Sequence, residues 1–106
     1  MKVSIMKKIY KILFTFFLVM GISSNAISSE DFFKKGLELF KEKKLDDAKF
    51  MFERSIVFNP KDSNSYLYLA KIYNHQEDQD KEEKNLDATL LIEPKNEEAI
   101  LMLMKI

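Results

Sequence analysis

Residues 32–60 read FFKKGLELFKEKKLDDAKFMFERSIVFNP, and a second proline, Pro94, follows thirty-four residues after Pro60. Each proline closes an apolar run. Ser55-Ile56-Val57-Phe58-Asn59 precedes the first and Thr89-Leu90-Leu91-Ile92-Glu93 precedes the second. Within the first unit, Phe32, Phe33, Gly36, Leu37, Leu39 and Phe40 recur at spacings of three and four, the stripe of an amphipathic helix over 30–42. Ser29 is expected to cap it, and Lys41, Lys43 and Lys44 sit where cations suit the helix dipole. Leu45, Ala48, Met51, Phe52, Ser55 and Ile56 form a second stripe, ended by Asn59-Pro60 because a residue before proline avoids helical backbone. Two helices joined by about three residues fold back as an antiparallel hairpin.

The second unit repeats the first less faithfully. Ser63 is a candidate cap for a helix whose stripe is Tyr66, Leu67, Leu69, Ala70, Ile72 and Tyr73. Leu86, Thr89, Leu90 and Ile92 continue the pattern on its partner helix, but Glu82 stands where the first unit has Ala48. A long acid at a close helix contact is expected to swing outward or splay the pair, leaving the second hairpin looser. Glu97 and Glu98 open a third run, Ala99 to Ile106, broken only by Lys105.

A period of thirty-four residues and these slots resemble the tetratricopeptide repeat family. Phe32, Gly36 and Leu39 lie in the aromatic, small and large apolar slots of its first helix. Leu45 precedes Asp46-Asp47-Ala48, and Phe52, Ser55 and Pro60 fall in the slots of its second helix. Tyr66, Leu69, Ala70 and Tyr73 match again, then Leu86, Thr89, Leu90, Ile92 and Pro94. Lys35 departs from the pattern, with a stem able to lie along apolar neighbours. The resemblance implies an all-α fold: a short right-handed α-solenoid of two antiparallel hairpins (29–62 and 63–96) plus a C-terminal helix (97–106). It further implies that the first helix of each pair lines a concave, peptide-binding groove. Carried over by register, that groove is Phe33, Leu37 and Phe40, then Leu67, Lys71, Asn74 and His75, then Leu101 and Lys105. The Lys/Asn clamp by which one subfamily grips a terminal carboxylate is absent, since Phe33, Leu37, Tyr68, Glu98 and Met102 occupy those places. In the same register Ala99, Ile100, Leu103 and Met104 are expected to pack on the second hairpin. Met102 and Ile106 are then left as a candidate association surface for a second copy or another protein.

Residues 1–26 read differently from the rest. They carry Lys2, Lys7, Lys8 and Lys11 and no acid. An apolar core at 12–22 and the small residues Ser24 and Ala26 complete a secretory signal pattern, with cleavage expected after Ala26. The alternatives are a membrane anchor retained through residues 9–22 and a buried core helix. Eleven residues fall short of the roughly twenty that a spanning helix needs. The expected compartment is extracytoplasmic, the periplasm in a bacterium. Four of the seventeen basic residues lie in this stretch, leaving thirteen against seventeen acids, a formal charge near −4. A mildly acidic chain does not point to nucleic acid.

There is no cysteine, so disulfides and thiolate metal sites are excluded. Asp78 and Asp80 mimic the start of a calcium loop, but Glu83 replaces its glycine and Thr89 its closing glutamate. His75 is the only histidine and cannot form a nucleophile–base pair or a metal site alone. No cofactor and no catalytic constellation is implied. The expected function is a protein–protein interaction module, an adaptor or assembly scaffold. The alternatives are a self-associating structural protein and a membrane-tethered assembly factor.

Overall fold

The computed structural model describes residues 5–8 and 27–106. Residues 5–8 are one helical turn, and expectations about residues 9–26 concern a stretch outside the described residues. From Ser29 onward five helices follow: α1 (Ser29–Lys41), α2 (Leu45–Phe58), α3 (Ser63–His75), α4 (Gln79–Ile92) and α5 (Glu97–Met104). α1 pairs with α2 and α3 with α4, while α2 also meets α3 and α4 meets α5. The fold is thus all-helical, a short solenoid of hairpins.

The turns inside the hairpins are copies of one another. Lys43 and Glu77, thirty-four residues apart, have positive φ values of 61° and 58°. At the first turn Lys44 N–H donates to the Leu39 carbonyl and Lys43 N–H to that of Phe40. At the second, Asp78 donates to Tyr73 and Glu77 to Asn74. Each pair satisfies carbonyls that a helix end leaves open, in the Schellman pattern.

The helix starts differ from the sequence expectation by one residue. Ser28, not Ser29, caps α1. Its hydroxyl accepts from Asp31 N–H at 3.3 Å, and the Asp31 carboxylate accepts from Ser28 N–H at 3.0 Å. Those bonds hold the Asp31 carboxyl below its ordinary value. Asp62, not Ser63, caps α3 through Ser65 N–H. The physical reason is reach: Asp62 also accepts from the fully buried hydroxyls of Ser55 (3.0 Å) and Ser65 (2.6 Å). It thereby ties the end of α2 to the start of α3.

Two apolar cores sit side by side. Ala48, Phe52, Leu69 and Ile72 form one, and Leu67, Ala70, Leu86 and Ala99 the other. α3 contributes to both. Gly36 is buried under Phe52, and a Cβ built there would lie 2.7 Å from the ring. That close approach is why the slot holds glycine.

Three expectations need correction. Glu82 does not swing out; it is buried, and α3 and α4 lie together along their length as α1 and α2 do. Met102 packs with Leu103 against the second core, whereas Ile100 and Met104, expected to pack there, are 40% and 76% exposed. The reason lies in register. Met102 is the counterpart of Tyr68, which leans back onto the preceding hairpin; Ile100 and Met104 are the counterparts of Tyr66 and Ala70, and Ala70 packs forward, with Leu86 and Ala99 of the helices that follow it. Leu67, expected in the groove, is 4% exposed within the second core.

Candidate functional site

The helical repeat places Phe33, Leu37 and Phe40 on one face of α1, each half-buried against the first core. Tyr68 of α3 lies in their midst. Its ring stacks on Phe52 at 5.3 Å and meets the edges of Phe33 at 5.9 Å and Phe40 at 5.3 Å. Such ring pairs contribute about 0.5–1.5 kcal/mol each beyond burial. Lys71, one turn on, carries its ammonium 4.4 Å above Tyr68 and 2.6 Å from the Glu98 carboxylate of α5. One lysine therefore links the middle of the strip to its last helix. Leu101 is 56% exposed and Lys105 is exposed on α5. His75 is exposed and meets the Phe40 ring at 6.2 Å.

Of the residues the resemblance assigned to the groove, Phe33, Phe40, Lys71 and His75 thus share one connected strip of contacts. Asn74 lies beyond it, donating through Nδ2 to Glu82 Oε1 at 3.1 Å. Lys35 is exposed and pairs with Glu38 at 3.4 Å. Sequence reasoning named Tyr68 only as the occupant of an absent clamp position and left it, the hub of the rings, out of the groove. Its signal was its spacing from Lys71 and His75, three and seven residues, which puts all three on one helical face.

Two cavities adjoin this face near the C-terminal ends of α1 and α3. The first, about 430 Å³, is lined by Phe40, Lys41, Lys43, Leu45 and His75. The second, about 270 Å³, is lined by Asn74, Glu77, Gln79, Glu82, Lys105 and Ile106. Among the described residues no group of His, Asp and Glu converges as metal ligands. No helix among them is long and apolar enough to cross a membrane.

A family model described as tetratricopeptide repeat matches residues 51–84. The match covers about a third of the chain. The match is one period long, starting inside α2 and ending inside α4. Repeats of this type generally mediate binding to protein partners. No curated protein matches the chain.

Proposed function

We propose that this protein is an extracytoplasmic interaction module that holds a protein partner along the face of α1, α3 and α5, as an adaptor or assembly scaffold. The observation that carries the reading is the open aromatic strip, with Phe33 and Phe40 half-buried around Tyr68 beside Lys71. Large rings that are rigid and partly wet suit partner burial, which is why aromatic residues concentrate in interfaces. A partner would also support a small domain. At a hundredfold excess over Kd, binding adds roughly 2.7 kcal/mol to stability. The extracytoplasmic placement rests on the lysines, apolar core and small residues of positions 1–26.

Site-specific photocrosslinking in the native compartment tests the interaction face. Probes at Leu37 and Leu101 are expected to capture the same protein, and a probe at Leu91, which is 86% exposed away from the strip, is not. Equal capture from Leu91 would defeat the assignment. Mass measurement of the mature N-terminus tests the compartment: a start at Ile27 supports secretion, and an intact Met1 in a soluble fraction counts against it. A second reading, self-association, is favoured by the exposed apolar side chains Ile100 and Met104 on α5. Light scattering of a monomer at tens of micromolar would remove that reading.

A further inference from the structure

The two cavities occupy the same place in successive repeats. Phe40, Lys43 and Leu45 line the first, and their counterparts thirty-four residues on, Asn74, Glu77 and Gln79, line the second. Their chemistry is inverted. The first sets Lys41, Lys43 and His75 over the apolar Phe40 and Leu45. The second sets Glu77 and Glu82 beside the amides of Asn74 and Gln79.

Glu82 is the telling residue. Its counterpart, Ala48, is fully buried and closes the first hairpin with a methyl group. Glu82, 5% exposed as a residue, instead brings a carboxylate. A buried carboxylate without a counterion opposes folding. Asn74 Nδ2 donates to Oε1, and the other oxygen meets no donor among the described residues. None of their buried side-chain oxygens is sealed off without a partner, so that oxygen opens on the cavity. Lys105 lines the cavity too, yet it forms no ion pair among the described residues. The pocket therefore presents a carboxylate oxygen that no donor among the described residues meets, with one side left for a donor from outside.

We infer that the Glu82 cavity receives a single basic side chain, lysine or arginine, of a protein segment lying along the α1–α3–α5 face. The basic cavity one repeat earlier takes an acidic or apolar group of the same segment and so fixes its direction. This rests on the reading of that face as the protein-binding one.

The test uses the isotope-labelled full chain and two acetylated, amidated pentapeptides: Asp-Ala-Leu-Ala-Arg and its reverse. In a control form of each, citrulline replaces arginine and removes the charge while keeping the shape. One order is expected to bind about tenfold or more tightly than its citrulline form. Its amide shifts should centre on Asn74 and Glu82. Glu82→Gln and Glu82→Ala are expected to erase the difference. Glu82→Ala should melt no lower than the parent, because Ala48 occupies the equivalent place. The inference is overturned if citrulline binds as well as arginine, or if millimolar peptide moves no signal near Glu82. It also falls if Glu82→Ala melts lower with the arginine preference intact. Shifts around Tyr68 from both forms alike would end the basic pocket and leave the binding face standing. Shifts confined to the outer surfaces of α2 and α4 would end the binding face itself.

Discussion

Replacing Gly36 by alanine sets two effects against each other. Alanine is favoured over glycine in a helix interior by about 1 kcal/mol. Here the added Cβ would lie 2.7, 2.9 and 3.0 Å from three carbons of the Phe52 ring, when ordinary contact begins near 3.4 Å. The ring cannot easily retreat. It is fully buried, with Tyr68 stacked at 5.3 Å and Phe33 at 5.7 Å. Overpacking of this kind costs about 1–3 kcal/mol. The net expectation for Gly36→Ala is a loss of about 1 kcal/mol, read as a urea midpoint lower by roughly 0.5–1 M. The second arm removes the obstacle. Phe52→Leu alone costs about 1–2 kcal/mol, but in that background Gly36→Ala should become stabilising. The coupling between the two changes is then about 1–2 kcal/mol, within the range for residues in contact. Circular dichroism of the four proteins in urea measures it. If Gly36→Ala raises the midpoint in the parent, or acts equally in both backgrounds, helix packing through Gly36 and Phe52 is wrong.

Further expectations follow from the turns, the cap and the last helix. Lys43→Gly and Glu77→Gly should each stabilise the fold by about 0.5–1 kcal/mol, because only glycine accepts positive φ without steric cost; an alanine at either place should not, and thermal melts distinguish them. The Asp31 carboxyl, held down first by the backbone and then by the side-chain bond from Ser28, should titrate below an ordinary aspartate by NMR, and Ser28→Ala should raise it. Because the folded value is depressed, the cap's contribution is present above the unfolded aspartate pKa and lost as pH falls through the folded one, so α1 should fray from its N-terminus in that acid window. Met102→Glu should lower the melting temperature and Met104→Glu should not, since only Met102 packs on the second core; equal losses would reject the register given to α5.

The hairpins were legible because two signals agreed: apolar spacing within each helix and prolines repeated at one period. Helix ends were less so. Ser28 and Ser29 are adjacent and identical, and only the reciprocal bond with Asp31 decides between them. Asp62 could be named only once Ser55 and Ser65, ten residues apart in sequence, were known to converge on it. Glu82 misled because a long acid in a small-residue slot has no local signal for turning inward. Its partner Asn74 lies on the other helix of the hairpin. Met102 was a misalignment within a correct repeat, since comparison with Tyr68 would have turned it toward the core.

The sharing of α3 between the two apolar cores has a consequence for dissecting the chain. The sequence invites excision after Asp62, at the border between matching units. Such a fragment would lose Leu69 and Ile72, which α3 lends to the cluster around Phe52. The smallest piece that keeps the cluster around Phe52 entire is therefore three helices, α1 to α3. A truncation drawn at the evolutionary seam should yield an unstructured peptide, while one drawn after His75 should keep the Phe52 cluster whole.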